Sequence, residues 1–393
     1  MYKIQTLNKI SPEGIAEFPR DGYEIASEIP NPDAIILRSA DMHSLEVPGT
    51  VKAIARAGAG TNNIPVPRMT DQGVVVFNTP GANANAVKEM ALLAILLSSR
   101  NVIEAASWAQ TLAGKGNEIP ELAEKGKGRF VGPEITGKTL GVIGLGAVGA
   151  LLANAAIDLG MRVIGYDPFI SVQGAWHLNS SIVQADGLGD LLSRSDYISI
   201  HIPQTNETKG FINADKISAM KKNVRLVNLA RGGLVVNADV LKGLESGKIA
   251  CFVTDFASEE LLGNPRVICL PHLGASTPEA EENCARMAAR QLKNFLERGT
   301  IVNSVNFPTC RLEGPIPEGG MRLCIANKNV PNMVGQITTV LASNSINISA
   351  MVNQKRDGLA YNIIDLDSPV SGETLGAIRG INGVLCVRAI NGK

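Results

Sequence analysis

Apolar residues in the first hundred positions fall into short runs closed by turns. Runs at 2–7, 23–26, 34–38, 52–57 and 74–78 read as strands, with helical stretches between them. That alternation predicts a parallel α/β sheet. Residues 84–110 predict one long helix, with Leu92, Ile95, Leu96 and Ile103 on its apolar face. A second series of strands is predicted at 139–143, 162–166, 181–183, 197–202, 225–229, 250–254 and 266–270. Most of these are apolar without a break, as in strands covered on both faces.

The pattern changes after a Pro/Gly-rich stretch, 308–320 (PTCRLEGPIPEGG). Strands at 321–326, 347–354, 359–365 and 384–389 and helices at 333–343 and 373–379 give the order βαββαβ, a ferredoxin-like unit. The expected organisation is a first domain from 1–98 that returns at 277–307, a second domain at 99–276, a linker at 308–320 and a small domain at 321–393.

Composition narrows the function classes. Lys+Arg and Asp+Glu are both 37 in 393 residues, and aromatics are 4%. Neither a basic footprint nor a set of stacking rings for nucleic acid is present, so no nucleic-acid partner is expected. The N-terminal stretch has no apolar leader-like core, and the greasiest run, 90–97, is far short of the roughly 20 residues of a membrane span. The six cysteines form no CxxC pair. They read as small buried residues of a cytoplasmic protein, with no metal site.

Residues with chemical potential gather where the second series of strands ends. Gly144-Leu-Gly146-Ala147-Val148-Gly149 follows one strand and opens a helix, and Asp167 ends the next, 18 residues after Gly149. The first glycine permits the turn, the second lets backbone approach a pyrophosphate, and the third allows helix and strand to touch. The helix N-terminus attracts the anion, and the acid accepts from a ribose hydroxyl. A carboxylate there repels a 2′-phosphate, so NAD is expected over NADP. His201, Pro203, Thr208, Ala230, Asp255 and Gly274, in the turns after later strands, are expected to line the cofactor. His272, in Pro271-His272, is a candidate general acid/base, since imidazole titrates near working pH. Arg231, before Gly232-Gly233, can hold a carboxylate through two parallel hydrogen bonds. Glu259 or Glu260 can orient the His272 ring. Arg56 ends an early strand beside Ala57 and Gly58, whose amides can cradle an oxyanion. Asn83 is a further candidate, while Arg129 and Lys127 are weaker phosphate ligands.

Together, Gly144-x-Gly146-x-x-Gly149, Asp167, Arg231 before two glycines, an acid five residues after Asp255, and Pro271-His272 resemble the D-isomer-specific 2-hydroxyacid dehydrogenase family. The resemblance covers about residues 30–306 and implies a Rossmann-type nucleotide domain inserted in a flavodoxin-like substrate domain. It implies that Arg231 binds the substrate carboxylate, that Glu260 supports the histidine, and that His272 handles the hydroxyl proton. The stretch 51–63 is similar to the substrate loop of the branch acting on 3-phosphoglycerate, the entry to serine biosynthesis. Another D-2-hydroxy acid, such as glycerate or an erythronate phosphate, stays open as substrate. So does a non-catalytic, NAD-sensing corepressor-like role. The C-terminal unit resembles an ACT domain. That resemblance implies an amino-acid effector, most naturally serine, at Asn329 and Asn347, and assembly as a homodimer or homotetramer.

Overall fold

The computed structural model describes residues 1–392. The chain divides into two compact units, 1–83 with 278–393 and 84–277. In the first unit β1 (Tyr2–Leu7), β2 (Tyr23–Ala26), β3 (Ala34–Leu37), β4 (Ala53–Arg56) and β5 (Val75–Phe77) form a parallel sheet in the order β2-β1-β3-β4-β5. This is the flavodoxin-like order. The second unit holds β6 (Thr139–Ile143), β7 (Arg162–Tyr166), β8 (Val183–Gln184), β9 (Tyr197–Ile200), β10 (Val224–Asn228), β11 (Ile249–Thr254) and β12 (Val267–Cys269). Its order is β12-β11-β10-β9-β6-β7-β8, all parallel. The strand order reverses between β6 and β9, the place where such sheets bind nucleotides.

Two expectations about helices and boundaries change. The predicted helix over 84–110 is two helices, Ala84–Ser99 and Val102–Gln110, bent by 70° at the break. Periodicity continues through Arg100-Asn101, but the hydrogen-bond ladder does not. The first helix lies in the nucleotide unit rather than in the first domain. Its Ala91, Ala94 and Ile95 pack with Leu140, Val142 and Leu152, and Ser99 shares a hydrogen bond with Tyr197. The second helix buries none of its residues. Among the described residues, no single helix is long and apolar enough to cross a membrane.

The C-terminal sheet comprises β13 (Met321–Lys328), β14 (Ile348–Arg356), β15 (Leu359–Leu366) and β16 (Val384–Asn391), antiparallel in the order β14-β15-β13-β16. Alternation puts Leu323, Ile325 and Ile364 against the helices Met333–Ser343 and Gly372–Arg379. The opposite residues, Cys324, Ala326, Tyr361 and Ile363, enter the same core as Phe295, Leu296, Ile301 and Phe307 of the first domain. The two sheets of this unit therefore share one core, where the composition of 308–320 suggested a loose tether. Part of that stretch is itself fixed, because Cys310 and Ile301 exchange backbone hydrogen bonds of 2.9 Å.

Polar contacts complete the junction at the C-terminal end of the long helix Pro278–Arg298. Arg388 donates from Nη2 to the carbonyls of Phe295 (2.9 Å) and Leu296 (3.2 Å), and its guanidinium lies 4.1 Å from the Phe295 ring centre. Fully buried Arg322 holds Asp365 through two bonds of 2.6 and 2.7 Å and donates to the Arg298 carbonyl. The Tyr361 hydroxyl donates to the Gly299 carbonyl at 3.0 Å. Terminal helix carbonyls lack intrahelical partners and carry partial negative charge, so cationic donors there satisfy both. Gly299 has φ +71, and a Cβ on it would lie 2.1 Å from the Cys324 sulfur. Only glycine lets the chain leave the helix so close to the sheet.

Candidate active site

The glycine loop is built as its spacing predicts. Gly144 has φ +90, and a Cβ there would stand 2.7 Å from the His201 carbonyl. A Cβ on Gly149 would stand 1.9 Å from the Gly144 carbonyl, so helix Ala147–Asp158 sits directly on the turn. At Gly146 a Cβ would meet no protein atom. The cap Gly146 supplies no side-chain acceptor, which leaves the first amides of the helix, including those of Ala147 and Val148, to an incoming anion. Asp167 accepts from the Leu145 amide (2.9 Å) and the Phe169 amide (2.9 Å), which fixes the acid beside the loop.

The turns after β9, β10 and β11 carry the remaining residues of this unit. His201 bonds Ser199 Oγ at 2.8 Å, and burial lowers its pKa to about 4, so the ring is neutral at working pH. Thr208 donates to the Pro203 carbonyl at 2.7 Å and closes that loop. Asn228 donates to the Arg231 carbonyl (2.9 Å) and accepts from the Ala230 amide (3.2 Å), bracing the turn that presents Arg231. Arg231 itself is exposed and donates to the Ala230 carbonyl.

Asp255, at the end of β11, is 2% exposed, and neither carboxylate oxygen completes a hydrogen bond. Burial pushes its carboxyl up, offset in part by nearby His272 and by the Gly274 amide. The exposed His272 ring packs edge-on against Phe256, with centres 5.0 Å apart. Glu260 accepts from Asn237 Nδ2 at 2.7 Å, and among the described residues it makes no hydrogen bond to His272. The expected direct support of His272 by Glu260 is thus not made here.

In the other unit, Arg56 ends β4, and its guanidinium folds over Gly58. A Cβ on Gly58, whose φ is +155, would lie 2.3 Å from Arg56 Nη1. Ala57 is buried and donates its amide to the Leu37 carbonyl, and the Gly58 amide donates to the Arg56 carbonyl, so the oxyanion cradle expected of these two amides is not open here. Asn83 is half-buried at the end of the same unit. The weaker candidates are engaged elsewhere: Arg129 stacks 4.6 Å over Trp108, and Lys127 pairs with Glu124.

Known proteins decide what this geometry belongs to. Residues 92–274 match the model described as "D-isomer specific 2-hydroxyacid dehydrogenase, NAD binding domain". Those residues are an NAD-binding domain of the D-isomer-specific 2-hydroxyacid dehydrogenase family. It is 36% identical to a D-3-phosphoglycerate dehydrogenase of Synechocystis over 72% of this chain and 50% of that one. It is 33% identical to one of Methanocaldococcus jannaschii over 82% and 60%. The chain therefore spans only about half to three-fifths of the length of these relatives. The NAD-bound 3-phosphoglycerate dehydrogenase of Entamoeba histolytica shares the fold, with a TM-score of 0.59, 25% identity, and coverage of 78% of this chain and 98% of that one.

NAD fits this dehydrogenase domain on its own evidence. The glycine cradle has no room for a Cβ at Gly144 or Gly149, the helix amides are open, and the buried Asp255 oxygens lack a donor. An amide group on a bound ring can supply that donor. Two residues of the site, Asn228 and Asn237, escaped the sequence reading. Asn228 had a faint signal, a polar residue closing an apolar strand before Arg231. Asn237 had none, because its role depends on a contact 23 positions away.

Proposed function

We infer that the chain is an NAD-dependent D-3-phosphoglycerate dehydrogenase, oxidising 3-phosphoglycerate at C2 to 3-phosphohydroxypyruvate. The observation carrying this is the buried Asp255 beside His272, with Arg231 presented from the neighbouring strand end. NAD, when bound, supplies the hydride acceptor. His272 takes the hydroxyl proton, or returns it to the keto oxygen in the reverse direction. Arg231 binds the carboxylate and stabilises negative charge developing on the C2 oxygen. Glu260, held by Asn237 here, supports the charged form of His272 once it turns to the ring. The Arg56 guanidinium, folded over Gly58, serves the phosphate by its charge.

The test is NADH formation with 3-phosphoglycerate, glycerate and erythronate phosphate. His272→Ala should lose at least about a hundredfold in kcat, the lower range for a general acid/base, while still binding NAD. Arg56→Ala should cost more with phosphoglycerate than with glycerate, and equal losses move phosphate recognition elsewhere. NAD binding without turnover on any of these acids favours a sensing role.

The relatives' name and the C-terminal βαββαβ order also support regulation by serine in a cytoplasmic homo-oligomer. Asn329 donates its amide to the Gly358 carbonyl at one end of the C-terminal sheet. Asn347 bonds Asp367 at the other end, beyond the Ile348–Leu366 pair. Eight-residue strands separate them by roughly 25 Å, so one chain cannot offer both to one serine. β14 is an edge strand, and antiparallel pairing with β14 of a second copy brings Asn329 of one toward Asn347 of the other. Calorimetric titration with serine, alongside the Asn329→Ala, Asn347→Ala double variant, tests this. No heat from the native protein leaves the domain to assembly alone.

A further inference from the structure

We propose that Asn237 is a positioning residue for the reaction, holding the Glu260 carboxylate at the cavity wall from which it turns to serve His272. This rests on the dehydrogenase reading above. Glu260 is exposed in a turn, on a long side chain with several free rotations. Its one hydrogen bond to another side chain among the described residues is the 2.7 Å contact from Asn237 Nδ2. That distance is typical of a charge-assisted bond to a carboxylate. The same Nδ2 donates to Ser258 Oγ at 3.2 Å, so Asn237 grips the turn at two points. Asn237 opens the helix Asn237–Glu245, three residues after the Arg231-Gly-Gly turn ends. Its position is thus set by the segment that presents Arg231.

A cavity of about 360 Å³ is lined by Asn237, Ser258, Glu260, Phe256 and Asn228. Phe256 also carries the His272 ring on its edge. Glu260 and His272 are therefore each tied to the wall of one cavity. The residue type matters as much as the distance. An amide donates to a carboxylate without neutralising it, so the negative charge of Glu260 stays available to an imidazolium. A lysine or arginine there would cancel that charge, and an aspartate would repel it.

A carboxylate serving an imidazole favours its protonated form. Oxidation of the alcohol needs the unprotonated ring, so losing the carboxylate moves the acid limb of the kcat profile to lower pH. The experiment measures kcat, KM and their pH profiles for the native protein, Asn237→Ala, Glu260→Gln and the double variant, using the 2-hydroxy acid the native protein oxidises fastest. NAD affinity is measured alongside by titration. Asn237→Ala should lower kcat about tenfold to a hundredfold, the scale of a small misplacement of a catalytic group. Its acid limb should move with that of Glu260→Gln, NAD affinity should stay unchanged, and the double variant should be no slower than Glu260→Gln alone. Asn237→Gln should recover part of the rate. Asn237→Ser runs in parallel, so that poor folding of one variant does not end the test. Losses that add in the double variant, or a native pH profile in Asn237→Ala, overturn this inference and leave the dehydrogenase reading standing. A native protein that binds NAD and oxidises no 2-hydroxy acid overturns both.

Discussion

Gly149 and Asp255 show how a single position commits this chain to a ligand. The Gly144 carbonyl stands where a Gly149 side chain would begin, 1.9 Å from an added Cβ. Gly149→Ala must push the helix off the turn, and we expect a lower Tm together with loss of NAD binding in a fluorescence titration. Asp255→Asn should differ, because it removes a buried charge that lacks a protein donor. Its expected outcome is equal or higher stability with weakened NAD affinity, a split that thermal melts with and without NAD would reveal. His201 makes a pH prediction. Its folded pKa of about 4 lies below the ordinary 6.5 because the half-buried ring is desolvated. The unfolded chain therefore binds the extra proton first. The contribution to stability is complete above about 6.5 and is lost as pH falls to about 4. A shift of that size corresponds to at most about 3 kcal/mol. His201→Gln should flatten this part of the stability curve in urea titrations run across that range.

The elements were largely legible because each carries its own signal. Continuous apolar runs gave the strands of both parallel sheets, and the βαββαβ order of the C-terminal unit came from alternation and turn residues. The break at Arg100-Asn101 was not legible, since apolar spacing continues across it while the chain turns by 70°. Nor could spacing show that Glu260 meets Asn237, or that Arg322 and Arg388 are buried at 0% and 9% exposure. Composition treats an arginine as a surface residue, whereas the end of the helix Pro278–Arg298 supplies acceptors that draw both inward. Removing one partner of a buried pair strands the other. Arg322→Met should cost about 3–5 kcal/mol in chemical unfolding, and adding Asp365→Leu should restore part of it. Full additivity of the two would mean that the pair does not act as a unit.

At the scale of the molecule, a shared core makes a parallel and an antiparallel sheet one body. Residues 313–315 and 318–319 are exposed, while Cys310 and Gly320 on either side are buried. Limited proteolysis should therefore cut there without releasing the C-terminal part, and the two fragments should elute together until denaturant is added. A chain ending at Pro308 should expose Phe295, Leu296 and Phe307, which share a core with Tyr361 and Ile363, and should aggregate. The glycine at 299 carries this further, into engineering. A small C-terminal domain is usually imagined as portable, joined by a linker that can be sewn onto another protein. Here the seam runs through the last turn of the helix Pro278–Arg298: its carbonyls are held by two arginines of the C-terminal sheet, and its exit residue is one that no side chain could replace. Any transplant of this C-terminal domain would need the recipient's own helix end redesigned on the pattern of Phe295 to Gly299, or it would arrive with its arginines buried against nothing.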